Sequence, residues 1–466
     1  MTADDERAAP VGDAADATAS PPSLAPTFLA PAFPAPVAQP VETDAPAARA
    51  SASATREAAA SPEPADLPQR TVIADRDGFL AAVDLIAAGH GPVAVDAERA
   101  SGYRYSQRAY LIQVFRRDAG VFLFDPPAIG GFEPLQEVIG EEEWVLHAAT
   151  QDLTCLREVG LDPVRVFDTE LASRLLGMER VGLGAVVEEL LGIHLAKEHS
   201  AADWSTRPLP ASWLEYAAKD VELLVDVRDE IDARLVAQGK SEIAAQEFAS
   251  LLTRDLVPVR VEPWRRLSGL HGVRGGRGLA VARELWLARD EYAREIDTAP
   301  GRLVPDASFV AVAKALPATR QDLAGMKDFM GRASRSQLDR WWAAVERGLA
   351  TDDLPSGRGP SDGSALPPPR AWADRNPEAD RRLKAAKAAV TAEAERLGLP
   401  VENLLTPEHL RRVAWAPPVP ATAEAIADAL VALGARAWQT DVCAQPIAAS
   451  FVEAEQAADE GSDAAS

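Results

Sequence analysis

From residue 71 to residue 168 the apolar positions fall into short runs separated by polar or helically spaced stretches, the pattern of strands alternating with helices. Val72 and Ile73 lie in a short strand, and residues 77–88 carry Phe79, Leu80, Val83, Leu85 and Ile86 at helical spacing. The run at 93–97 reads as a buried strand. Residues 109–115 and 120–124 are two more strands, joined by the charged turn Arg116-Arg117-Asp118 into a hairpin beside it. Alternation continues with helix at 132–139, strand at 143–147, helix at 152–159, strand at 164–167 and helical spacing to about residue 237. This predicts an α/β layered domain with a mixed sheet. From residue 262 the spacing is helical, with segments at 263–270, 280–295, 308–315 and 335–348 punctuated by Pro and Gly. Residues 352–375 read as a linker rich in Gly, Ser and Pro, and residues 376–446 as a second small helical bundle.

Composition trims the folded length. Residues 1–69 interleave Ala, Pro, Ser and acids and are too poor in aromatic residues to offset the entropy of ordering, so they are expected to be disordered. An acidic tail is expected over 447–466. The formal net charge of −23 argues against a basic coat for nucleic acid, but much of the acid sits in the tails and the α/β half. The two cysteines, Cys155 and Cys443, lie far apart and have no metal-ligand spacing, so neither a zinc site nor a disulfide framework is supported, which fits a reducing cytoplasm. The acidic N-terminus does not read as a targeting peptide, and no apolar run approaches a membrane span. Two nucleotide-binding motifs also fail. Gly239-Lys240-Ser241 lacks the Walker spacing and follows a helix, and Gly182-Leu183-Gly184 lacks a third glycine and reads as a helix-opening turn.

Candidate chemistry begins at Asp96-Ala97-Glu98. Side chains at i and i+2 of a strand share a face, so both carboxylates point to one spot, where they repel unless a cation lies between them. A strand end running into a solvated turn would look the same. Asp152 follows the strand at 143–147, with Thr150 as a helix cap, and could simply compensate a helix dipole. Tyr216 and Asp220 are i and i+4 on a helix, an aromatic hydroxyl beside a carboxylate, suited to water activation or to a surface hydrogen bond. Asp168-Thr169-Glu170 reads as an N-cap with an acidic first turn rather than a further ligand. His147, His194 and His199 share no ligand spacing and read as structural.

The order Asp-x-Glu, Asp, Tyr-x-x-x-Asp over residues 70–237 resembles the DEDDy branch of the DnaQ-like 3′–5′ exonucleases, which have an RNase H-like fold. Asp203-Trp204-Ser205-Thr206-Arg207-Pro208-Leu209, followed by Leu214, Tyr216, Ala217, Asp220 and Val221, is similar to the signature of the ribonuclease D family. Two positions depart from the family pattern: Ala97 stands where Thr is usual, and Ser101-Gly102-Tyr103-Arg104-Tyr105 replaces the usual aromatic run. The resemblance implies two divalent ions, Mg²⁺ or Mn²⁺. Asp96 would bridge them, Glu98 and Asp220 would complete the nucleophile side, and Asp152 would hold the leaving-group ion. Tyr216 would orient or deprotonate the attacking water. It further implies a monomeric, cytoplasmic exoribonuclease trimming RNA 3′ ends, in tRNA precursors or small RNAs, to 5′-mononucleotides. A DNA exonuclease and a catalytically inactive RNA-binding scaffold are the alternatives.

The helical segments after Trp264 resemble an HRDC domain, the nucleic-acid-binding module appended to ribonuclease D and RecQ-type helicases. Leu404 to Val413 faintly repeats Leu303 to Val310, which implies a second, HRDC-like bundle. Arg265, Arg266, Arg274 and Arg277 form a basic patch able to grip phosphates, or else a solvated face. The expected layout is therefore a tail (1–69), an exonuclease domain (70–258), an HRDC domain (259–351), a linker (352–375), a second HRDC-like domain (376–446) and an acidic tail (447–466).

Overall fold

A computed structural model of the chain describes residues 70–195, 201–253, 261–357, 359 and 366–463. The disorder expected of residues 1–69 lies outside them, as do His199, part of the linker and the last three residues of the expected acidic tail.

Six strands form one mixed sheet: β1 (Val72–Ile73), β2 (His90–Arg99), β3 (Ala109–Arg117), β4 (Gly120–Phe124), β5 (Glu143–Leu146) and β6 (Arg165–Asp168), in the order β1-β4-β3-β2-β5-β6. The hairpin pairings β2–β3 and β3–β4 are antiparallel, whereas β1–β4, β2–β5 and β5–β6 are parallel. Because β2, β5 and β6 run the same way, their C-terminal ends meet at one edge of the sheet. Helices α1 (Arg76–Ala88), α2 (Pro126–Ile129), α3 (Glu133–Ile139), α4 (Leu153–Glu158), α5 (Thr169–Leu175), α6 (Leu183–Leu191), α7 (Ala211–Glu222), α8 (Leu224–Ala237) and α9 (Ser241–Thr253) complete the domain.

Alternation along β2 separates two apolar layers. Val93, Val95 and Ala97 join Phe79, Phe124 and Phe132 in the larger core, whose rings meet edge to face at 5.0–5.9 Å. Ala94 faces the other way, under Val221 and Leu224. Asp96 and Glu98 share the parity of Ala94, which sends them toward α7. On that same face α7 packs Leu214, Ala217 and Ala218 with Leu111 and the fully buried Trp204. The loop leading into α7 is stapled by Arg207, which donates to both oxygens of Asp125 at 2.6 and 2.9 Å and to the carbonyls of Trp204, Thr206 and Tyr110. The Arg-Pro-Leu signature is therefore a positioning device for the helix that carries Tyr216 and Asp220.

After this domain, α10 (Gly275–Glu295) and helices Asp306–Ala315 and Leu338–Ala350 enclose a core of their own around Phe309, Phe329 and Trp341. The last bundle, built on helices Pro377–Leu397, Pro407–Trp415, Ala423–Ala432 and Ala437–Asp463, has no separate core. Its interior runs continuously into the sheet domain through Ala244, Phe248 and Leu251 of α9.

Two boundaries differ from expectation. The linker gives way to helix before residue 375, because Trp372 is fully buried against Trp415 at 4.8 Å and anchors helix Trp372–Arg375. The acidic tail begins later than 447, because Cys443, Ile447, Ala448 and Phe451 form a buried stripe at helical spacing on helix Ala437–Asp463. Ala and Glu around that stripe mask it in the composition. Among the described residues no helix is long and apolar enough to cross a membrane.

Candidate active site

A cleft of about 520 Å³ opens at the sheet edge where β2 and β5 end, lined among others by Asp96, Glu98, Arg99, Asp152, Tyr216 and Asp220. β2 delivers Asp96 and Glu98, and α7 lays Asp220 across from them, so that each of the three can present an oxygen within 4.8 Å of the other two. Asp152 comes from the far side, one turn after β5. Thr150 is not its cap as expected; it sits in a short 3-10 turn (Ala149–Gln151), and Asp152 itself occupies the N-cap position of α4 without a side-chain cap bond. Its carboxylate is thus left to the cleft.

That turn is held from below. Asp168, the last residue of β6, accepts hydrogen bonds from Ala148 N (3.0 Å), Ala149 N (2.9 Å), Glu170 N (3.0 Å) and Leu171 N (3.1 Å). The first two pin a left-handed backbone at Ala148 (φ 61°), a conformation that disfavours residues with a Cβ. Asp168 is therefore an N-cap that also shapes the approach to Asp152.

The electrostatics are those of acids crowded together. Burial, then the charges of Asp96, Asp220 and Asp152, push Glu98 well above the usual carboxylate range. Burial and then the Asp96 charge do the same to Asp152, and burial raises Asp96 itself. Asp220 is lifted to about 8 by burial and Asp96, against a hydrogen bond from Tyr216 that favours its ionised form. The Tyr216 hydroxyl is driven upward by burial and by Asp220, Glu98 and Asp96, so it stays a proton donor at neutral pH. An un-ionised phenol beside Asp220 can donate a hydrogen bond within the cleft. Without a cation the site resists full ionisation; with one, the same oxygens are a hard-ligand set.

Sequence reasoning left two lining residues aside. His147 stands at the cleft, held by the Thr169 hydroxyl at 2.9 Å, and burial lowers its pKa to about 4, so it is neutral at pH 7. Arg99 follows Glu98 directly; a lone cation at the end of an apolar strand was its available signal. The arginines assigned to phosphate binding do not line the cleft. Arg265 is paired with Glu262 and donates to Ser356 O, and Arg277 donates to the carbonyls of Gly348 and Thr351, so these two brace the HRDC-like bundle. Arg266 and Arg274 are exposed. Tyr103 and Tyr105, in the segment that replaces the family's aromatic run, contact the second domain. Arg302 stacks over Tyr103 at 3.8 Å, and Tyr105 donates to Asp290, tying the segment after β2 to the second domain.

Comparison with known proteins places this architecture. Residues 72–235 match the family model described as 3′-5′ exonuclease, residues 278–345 match HRDC domain, and residues 365–451 match 3′ to 5′ exonuclease C-terminal domain, where the sequence had suggested a second HRDC-like bundle. Ribonuclease D of Pseudomonas paraeruginosa is 32% identical over 321 residues, 67% of this chain and 81% of the relative. A crystal structure of a protein from Bifidobacterium adolescentis superposes with a TM-score of 0.75 at 37% identity, covering 82% of this chain and 97% of the other. The Escherichia coli RNase D structure shares the fold, with a TM-score of 0.58 at 24% identity over 74% of this chain and 90% of its own.

Proposed function

The chain belongs to the ribonuclease D family of 3′–5′ exoribonucleases, and from that premise we propose that Asp96, Glu98, Asp152 and Asp220 hold two divalent ions, Mg²⁺ or Mn²⁺, for stepwise release of 5′-mononucleotides from RNA 3′ ends. The observation that carries this reading is the convergence of three carboxylates within 4.8 Å, with a fourth close enough to raise the pKa of Glu98. Oxygen donors whose charges repel one another when empty fit hard cations. Divalent ions bound there would supply positive charge against that developing on the phosphodiester, and a more acidic water.

The protein's own groups do the rest. Tyr216, hydrogen-bonded to Asp220, is the group assigned to orient the attacking water. Neutral His147 adds a hydrogen-bonding wall without adding charge. The tRNA precursors and small RNAs handled by such enzymes are the substrates proposed, with the chain acting as a cytoplasmic monomer.

Matched 5′-labelled RNA and DNA oligonucleotides, digested with Mg²⁺, Mn²⁺ or EDTA, test the reading when wild type runs beside Asp96→Ala. The expected result is a metal-dependent ladder shortening from the RNA 3′ end and a loss of at least about 10³-fold in the variant. A ladder on DNA alone would transfer the assignment to a DNA exonuclease. RNA binding without any ladder would leave an inactive scaffold.

A further inference from the structure

We propose that Arg99 binds the phosphate being cleaved, and so is a substrate-binding residue of the cleft rather than a neutraliser of the acids beside it. This rests on the exonuclease reading above. Four observations support it. Arg99 lines the cleft together with Asp96, Glu98, Asp152 and Asp220. It is half-buried at the last position of β2, where the pairing with β3 slips by one residue between Glu98 and Arg99, so its backbone is fixed by the sheet and not by a loop. Its charge reaches Asp96, Glu98 and Asp152, favouring the ionised form of each. Yet among the described residues its guanidinium makes no ion pair or side-chain hydrogen bond, although most arginines of the sheet domain do, as Arg116 with Glu142 and Arg228 with Glu143.

Charge accounting shows why such a group belongs there. Two divalent ions balance four carboxylates, which leaves the single negative charge of an incoming phosphodiester unmatched. A guanidinium beside Asp152 supplies that one positive charge, with donors in the fork geometry that suits phosphate oxygens. A group already saturated by Asp152 or Glu98 could not do so. Arg99 is near enough to feel these acids and is not consumed by them.

The released mononucleotide carries the phosphate in question, so product binding isolates the contact. Inhibition of RNA hydrolysis by AMP and by adenosine would be measured with Mg²⁺ for wild type, Arg99→Lys and Arg99→Gln, with thermal midpoints confirming that each is folded. In Arg99→Gln we expect AMP to bind about 10-fold more weakly or worse, adenosine to change by less than about twofold, and kcat/KM on RNA to fall on the order of 100-fold. Arg99→Lys, which keeps the charge and loses the fork, should fall between. The inference is overturned if AMP inhibition in Arg99→Gln stays within twofold of wild type, or if AMP and adenosine weaken in parallel, since Arg99 would then only shape or neutralise the cleft. Wild-type RNA shortening in the same assay separates the two levels. If it is absent the exonuclease reading itself fails, whereas if it is present while AMP binding ignores Arg99, only the present inference does.

Discussion

Without a cation, Asp220 is harder to ionise in the folded protein than in the unfolded chain, because burial and the charge of Asp96 lift its pKa from 3.8 to about 8. A raised folded-state pKa contributes stability that is fully present below the unfolded value and is lost as pH rises through the folded one. In EDTA, Asp220→Asn should therefore gain on wild type in thermal midpoint as pH goes from 5 to 9. Each kcal/mol of relief appears as roughly 2–4 °C in a domain of this size. Saturating Mg²⁺ should close the gap by stabilising only the wild type. A gap independent of pH would show that the acids are not crowded as described. Tyr216 makes a different prediction. Its phenol is held protonated, so Tyr216→Phe should lower kcat by about 10- to 100-fold with KM nearly unchanged, and steady-state kinetics on one RNA would show it. Unchanged kcat would remove the hydroxyl from the reaction.

At the scale of elements, the site depends on the turn before Asp152 and on the residue that holds it from below. Asp168 is 3% exposed and satisfies four backbone N–H groups, two opening α5 and two in the turn before Asp152. Asp168→Ala would strand those donors, at a cost of about 2–4 kcal/mol in a denaturant titration. It should also weaken Mg²⁺ binding about tenfold, because Asp152 loses its platform. Full Mg²⁺ affinity in a folded Asp168→Ala protein would mean that the turn holds itself. This dependence also marks what the sequence could reveal. Asp96 with Glu98, and Tyr216 with Asp220, were legible because the periods of strand and helix place i, i+2 and i, i+4 on shared faces. Asp152 was legible only through the family's order of acids, since its local pattern suits a helix dipole equally well. The second duty of Asp168, the position of His147 and the open guanidinium of Arg99 depend on which strands run parallel to β2, and local spacing carries no record of that.

Across the whole molecule, the two helical appendages are attached by different physics. The HRDC bundle keeps its own core and meets the sheet domain through polar contacts on the segment between β2 and β3 and on the start of β3. Asp297 accepts from Ser106 N at 2.8 Å and from the Tyr110 hydroxyl at 3.2 Å, and Arg302 donates to Gly102 O at 2.6 Å. The C-terminal bundle instead continues the catalytic core, and at the seam Arg436 pairs with the buried Glu247 through two bonds of 2.6 Å while Trp438 donates to the same carboxylate at 2.8 Å. Glu247→Ala leaves a largely buried guanidinium without its anion and should cost about 3–5 kcal/mol of global stability. Asp297→Ala, at a partly exposed contact, should cost only about 1 kcal/mol. Its effect should be local, as faster amide exchange over residues 101–108 and a lower kcat, because the strand end bearing Glu98 and Arg99 loses its outer brace. Hydrogen exchange on both variants separates these outcomes. If Asp297→Ala speeds exchange throughout the sheet, the HRDC bundle is part of the folding unit; if Glu247→Ala loosens only the last bundle, the shared core does not unfold as one.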